Sequence, residues 1–119
     1  MRMLLLSALL SLLGLTCTAC SITEPVVVIG ENGQILKGTV TATLSGGSFT
    51  ATDGRLTCGG SYDSSDVSTT ITMPVLCSDG RKGIVIATRD NNGTSGAGTV
   101  RMTDGSEATF MFGPAAASF

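Results

Sequence analysis

From residue 26 onward, apolar residues recur at every second position in short runs, and the runs are separated by Gly next to Asn, Asp or Ser. In Thr39-Val40-Thr41-Ala42-Thr43-Leu44 the alternation puts Val40, Ala42 and Leu44 on one face and the three threonines on the other. Phe49 and Ala51 continue the same face, as do Leu56 and Cys58, then Ile71, Met73, Val75 and Cys77, and at the end Ala108, Phe110 and Phe112. A period of two with one apolar face is the mark of a half-buried strand. Val26-Val27-Val28-Ile29 is β-branched throughout and reads as a further short strand, as does Gly83-Ile84-Val85-Ile86-Ala87-Thr88.

The breaks between runs carry turn chemistry. Gly30-Glu31-Asn32-Gly33 offers Asn-Gly as a positive-φ pair, and Ser45-Gly46-Gly47, Thr52-Asp53-Gly54, Ser78-Asp79-Gly80-Arg81 and Thr103-Asp104-Gly105 are further turns. Gly59 to Ser68 and Asp90 to Gly96 lack apolar periodicity and read as surface loops. Pro74 has no N–H to give a ladder, so its strand is expected at an edge or a bulge. Gly-Thr-Val at 38–40 and again at 98–100 reads as hairpin grammar used twice. Together these features predict an all-β fold, a small antiparallel meander of seven to eight short strands closed as a sandwich or a barrel. An outer-membrane barrel is disfavoured by length, because eight strands of about ten residues would exhaust the chain. The residues 26–113 are expected to form the domain and 114–119 a loose tail.

Cys58 and Cys77 fall on the inward phase of their strands, beside Leu56, Ile71, Met73 and Val75. Two cysteines pointing into one core are expected to form a disulfide, with a Cα separation of about 4.4–6.8 Å. Closing a loop of about 20 residues contributes roughly 3 kcal/mol. That matters in a chain of 119 residues with only 4% aromatics, which has one small core and little aromatic mass to fill it.

Composition narrows the chemistry further. The chain has 16 Gly and 13% charged residues, too few helix formers in periodic runs for a bundle. Lys and Arg number 7 and are scattered apart from Arg81-Lys82, so there is no basic patch to neutralise phosphates, and nucleic acid is not an expected partner. There is no His, which removes His-based triads and most catalytic zinc sites. Asp53, Asp63, Asp66, Asp79, Asp90 and Asp104 mostly stand in turns, where Asp serves the backbone. Asp90-Asn91-Asn92-Gly93 lacks the ligand spacing and the closing Glu of a calcium loop. No catalytic residue, metal site or cofactor is expected.

Met1-Arg2-Met3 followed by the apolar run Leu4 to Leu15 has the positive start and short apolar core of a signal helix, assigned to 1–19. The run ends in Leu15-Thr16-Cys17-Thr18-Ala19-Cys20, where the chain resembles bacterial lipoprotein precursors, whose lipobox sets a small residue before an invariant Cys. Ala19-Cys20 matches that junction. Cys17 stands where the family usually has Leu or Val, and it leaves Thr16-Cys17 as a second, weaker cleavage site. The resemblance implies that Cys20 is the lipidated residue, since two or more acyl chains are needed for stable anchoring. It also implies, from Ser21 in place of Asp, the periplasmic face of the outer membrane in a cell with two membranes. Residues 20–25 are then the lipidated N-terminus and a tether of at most roughly 18 Å. The remainder, notably Cys77-Ser78-Asp79-Gly80-Arg81-Lys82-Gly83, is similar to small bacterial lipoproteins that bring no activity with them.

The expected function is a non-enzymatic, membrane-anchored envelope lipoprotein with a structural or assembly role, bound to the membrane through its lipid and to an envelope protein partner. The alternative is a module that inhibits an envelope-attacking enzyme such as a lysozyme. Its candidate binding loop is Asp79, Arg81 and Lys82, or else the stretch Gly59 to Ser68.

Overall fold

The computed structural model describes residues 21–119, and the signal segment, Cys17 and the lipidation candidate Cys20 lie outside the described residues. Eight strands follow one another: β1 Ser21–Gly30, β2 Ile35–Thr43, β3 Gly46–Thr52, β4 Thr57–Tyr62, β5 Thr70–Cys77, β6 Lys82–Arg89, β7 Gly96–Met102 and β8 Glu107–Phe112. Each pairs antiparallel with the next, and β1 pairs with β8 from Val26↔Phe112 to Gly30↔Ala108, so the sheet closes into a barrel. Of the two architectures left open above, the barrel is the one adopted. Closure gives every strand a partner on both sides, though β4 and β5 share only two register pairs.

Strands of six to ten residues, joined mostly by tight turns, are what allow eight of them to fit. Seven of the eight strands have nine residues or fewer, so the eight short strands expected above fit where eight strands of about ten residues would not. The outer face is mixed: Lys37, Thr39, Thr50, Thr52, Thr70, Thr72, Arg101, Glu107 and Thr109 stand on it beside the exposed apolar residues Ile35, Leu76, Ile84 and Ile86.

Inside, the inward phase is filled by Val26, Val28, Leu36, Val40, Phe49, Ala51, Met73, Val75, Val85, Ala87, Val100 and Phe110, together with Cys58 and Cys77. Large inward residues stand directly opposite glycines on the neighbouring strand. Phe49 faces Gly60, Tyr62 faces Gly47, Met102 faces Gly83, Phe110 faces Gly98 and Phe112 faces Gly96. A narrow barrel has room for one bulky side chain per cross-strand pair, and glycine also lets the backbones approach and curve. At Gly38 and Gly98 any side chain would run into a carbonyl oxygen of the adjacent strand, Thr50 and Ile86 respectively. The Gly-Thr-Val triplets thus begin at inward positions within β2 and β7, a correction to the reading of them as turn grammar.

Four further expectations are revised. Leu44, placed inward by the alternation, sits in the β2–β3 turn and is 90% exposed. Gly46 and Gly47 belong to β3, and Gly59 to Tyr62 belong to β4, so the turn and the first long loop are both shorter than the sequence suggested. Residues 21–25 form the paired start of β1, from Ser21↔Thr43 to Pro25↔Thr39, and leave no tether on the described chain. The C-terminal residues are ordered as a 3₁₀ helix, Pro114–Ser118, in place of a loose tail. This helix packs on the outside of β1, where Gly113 N donates to Pro25 O at 2.9 Å and Ala116 is buried. It explains why Val27, which points out of the barrel, is completely buried.

Candidate functional site

The disulfide is present between Cys58 and Cys77. The two residues are directly opposed on β4 and β5, and their Cα separation of 4.0 Å is a little below the expected range. Ser78 N donates to Thr57 O at 2.7 Å, so the hydrogen-bonded pair is the next one along, and the cysteines occupy the closer, non-hydrogen-bonded position. The β4–β5 ladder has only two pairs, Cys58↔Cys77 and Gly59↔Leu76. Pro74 lies just beyond them, paired with Ile84 on β6, so its missing N–H falls where the barrel seam is already open. The disulfide therefore staples the weakest seam of the sheet.

The strand order puts four turns at one end of the barrel and the longer loops at the other. At the tight-turn end the connections repeat one design: Asn32-Gly33, Asp53-Gly54, Asp79-Gly80 and Asp104-Gly105, with the glycines at φ of 82°, 94°, 90° and 89°. Among the described residues no non-glycine has positive φ, so the first of these is a type I turn closed by a glycine bulge, not the paired positive-φ turn expected for Asn-Gly. The Asx oxygen ties each turn to itself. Asp53 Oδ1 accepts from Arg55 N at 2.9 Å and Leu56 N at 2.8 Å, Asp79 Oδ1 accepts from Arg81 N at 3.1 Å, and Asp104 Oδ1 accepts from Ser106 N at 2.9 Å.

Two cross-turn contacts brace this rim. Gln34 Nε2 donates to Asp53 Oδ2 at 2.9 Å, linking the β1–β2 and β3–β4 turns. Arg81 Nε meets Asp79 Oδ2 at 2.7 Å, and its Nη1 lies 4.0 Å from Asp104 Oδ2, linking the β5–β6 and β7–β8 turns. The Gln34 amide, with the backbone donors of Leu56 and Arg55, lowers the Asp53 carboxyl to about 2. Asp79 is held below the usual carboxylate range by the backbone N–H and then the side chain of Arg81, and Asp104 by the Ser106 hydroxyl and N–H.

Between the braced turns opens a cup of about 220 Å³. Its floor is apolar, built from Leu36, Phe49, Val75, Val100 and the disulfide, and its mouth carries Gln34, Arg81, Ser106 and Glu107. The floor is closed by an aromatic waist, with the Phe49 and Phe110 rings edge to face at 5.1 Å and the Phe112 ring 6.2 Å beyond Phe110. Beyond the waist, at the loop end, lies a second, wider hollow of about 350 Å³, edged by Glu24, Tyr62, Asp66, Arg89, Asp90 and Asn92. Arg89 is engaged there, donating to the carbonyls of Asp66 and Ser68. Ser65 caps Asp63 and Ser95 caps Asp90, with hydroxyl contacts of 2.6 Å each, and both carboxyls are lowered by those hydroxyls first. Burial raises the Tyr62 phenol above its ordinary range.

The expected binding loop thus divides. Asp79 and Arg81 fold onto each other, with Arg81 turned over the mouth of the cup. Lys82 opens β6 with its side chain outside, while its carbonyl accepts from Thr103 N at 2.9 Å. Gln34, Met102, Ser106 and Glu107 were not singled out by sequence. For Met102 the signal was present, since it shares the inward phase of Val100. For the other three only the meeting of separate turns reveals it. Among the described residues, no three His, Cys, Asp or Glu side chains gather as a metal site.

No protein-family model and no curated protein matches the chain. Among solved structures it is similar to a protein described as a de novo designed, fluorescence-activating beta barrel, with a TM-score of 0.53 and 19% identity over 76% of this chain and 88% of that one. At that identity the likeness concerns the closed barrel fold alone.

Proposed function

We propose that the protein is a lipid-anchored envelope lipoprotein, attached through Cys20 at the periplasmic face of the outer membrane, where its barrel serves a structural or assembly role without catalysis. The observation that carries this reading is that β1 is already paired at Ser21, the residue after the Ala19-Cys20 junction, so folded barrel starts where the lipobox ends. A rigid closed barrel with a disulfide suits an oxidising envelope and a part that must hold its shape. The test is labelling with a fatty-acid analogue in cells expressing wild type, Cys17→Ala, Cys20→Ala and the double variant. Label should vanish only with Cys20→Ala and the protein should then leave the membrane fraction. Full labelling of the double variant would end the lipoprotein reading.

A second reading is favoured by the cup: the same barrel takes up a small apolar ligand with a polar, uncharged head. A dry apolar cavity of about 150 Å³ holds benzene, and the cup, at about 220 Å³, has room for a two-ring aromatic body. Gln34 and Ser106 would face its head group, with Arg81 held by Asp79 and Asp104 and with Glu31 and Glu107 also at the mouth. Titration with dansylamide, a naphthalene carrying an uncharged sulfonamide head, should give saturable emission that Ala108→Phe, a change at the mouth of the cup, abolishes. Emission unchanged by that variant would remove the reading. Inhibition of an envelope-attacking enzyme through the 79–82 turn has weaker support, because Arg81 is already engaged by Asp79 and Asp104.

A further inference from the structure

We infer that the loop end of the barrel lies directly against the bilayer, with Ile22, Leu44 and Val67 in contact with a zwitterionic lipid surface and the cup opening away from it. This rests on the lipid-anchored reading above.

Among the described residues the two most exposed large apolar side chains are Val67 at 93% and Leu44 at 90%, and Ile22 is 57% exposed. All three stand at the loop end. Leu44 is the tip of the β2–β3 turn, Val67 lies in the β4–β5 loop, and Ile22 is the second residue of β1. Ile22 and Val67 edge the same hollow. The Ser64 hydroxyl donates to Thr43 O at 2.5 Å, which ties the loop bearing Val67 to the turn bearing Leu44. Ser21 is the register partner of Thr43, the immediate neighbour of Leu44. The chain toward Cys20 therefore leaves the barrel at the same rim from which the apolar residues project.

Fully exposed Leu and Val at loop tips are unfavourable in water and have no packing role in the barrel. A lipid attached one residue before a paired strand gives the domain almost no reach, so this rim must stand at the membrane surface. The sign of the charge selects the lipid. Glu24, Asp63, Asp66 and Asp90 stand at this end, and the one cation among the described residues there, Arg89, is occupied by loop carbonyls. An anionic surface would repel that set, and a phosphatidylethanolamine surface would not. At the opposite end Lys37, Arg55, Arg81, Lys82 and Arg101 balance Glu31, Asp53, Asp79, Asp104 and Glu107, and the exposed apolar residues there, Leu76 at 58% and Ile35 at 41%, lie on the strand walls, so no described turn tip there carries a counterpart of Leu44 or Val67.

The test uses full-length protein purified with its lipid and reconstituted in phosphatidylethanolamine–phosphatidylcholine vesicles. Single variants Leu44→Cys, Val67→Cys and Glu31→Cys carry a nitrobenzoxadiazole label, and quenching by spin-labelled lipid is read. Quenching at 44 and 67 should exceed that at 31 at least threefold, and replacing half the lipid with phosphatidylglycerol should cut that ratio about twofold. Equal quenching at the three positions, in protein whose mass shows the acyl chains on Cys20, would overturn the orientation while leaving the anchor intact. A ratio that rises with phosphatidylglycerol would overturn the zwitterionic assignment. A mass without acyl chains would remove the anchor and this inference with it.

Discussion

The two ends of the barrel are built from the same strands and differ in almost every other respect. At the tight-turn end each connection is an Asx-Gly turn tied to itself, the turns are braced in pairs by Gln34–Asp53 and by Arg81 with Asp79 and Asp104, and an apolar cup is left open. At the loop end the connections are unequal, acidic, and tipped with exposed Leu44 and Val67. The waist of Phe49, Phe110 and Phe112 separates them. A barrel of this width is filled at its middle and thins toward its rims, so each rim is free to take on its own chemistry once the waist bears the packing.

The largest effect is expected from breaking the separation itself. Phe110→Ala removes the most buried aromatic and should cost about 3–5 kcal/mol. Denaturant melts should show the loss, and if any folded barrel persists it should bind the naphthalene dye more weakly because the cup has lost its floor. A change below about 1 kcal/mol would mean that the waist does not carry the core.

Opening the seam comes next. Cys58→Ser with Cys77→Ser should cost roughly 2–5 kcal/mol, and mass after alkylation with and without reductant checks that the bond is present in the wild type. Amide exchange should then rise in β4 and β5, where only two register pairs remain, before it rises in β2. Uniform exchange across the sheet would show that the staple acts on the whole barrel instead.

Gly98→Ala probes the packing opposite Phe110. Its methyl group would meet the Ile86 carbonyl, and the strand must shift, at about 1–3 kcal/mol. An unchanged thermal midpoint would show that β6 and β7 have slack at this point.

The smallest effect sharpens the contrast between the rims. Asp53 sits near 2 in the folded protein against about 3.9 when unfolded, so its contribution is complete above pH 4 and is lost as pH falls toward 2. Melts between pH 5 and pH 2 should decline, and Asp53→Asn should flatten part of that decline. Asp63→Asn, at the loop end, bonds only within its own turn and should flatten less. Equal flattening by the two variants would mean that the Gln34 brace contributes nothing beyond the turn itself.

Local chemistry alone determined much of this molecule. The period-two runs marked the strands, because alternation on a pleated sheet is a property of neighbouring residues, and the Asx-Gly pairs marked the turns, because glycine takes the positive-φ step without strain. The shared phase of Cys58 and Cys77 was enough to foresee their bond. Tertiary structure decided what depends on several strands at once. Closure of β1 on β8 follows from curvature summed around eight strands, and the pairing of Phe110 with Gly98 or Tyr62 with Gly47 joins residues whose only link is register. Leu44 had the right phase for the core and was carried out of it because β2 ends one residue earlier. Val27 was buried from outside by a helix near the other end of the chain. The cup gathers Gln34, Arg81 and Ser106 from three turns, and no spacing along the chain encodes that meeting.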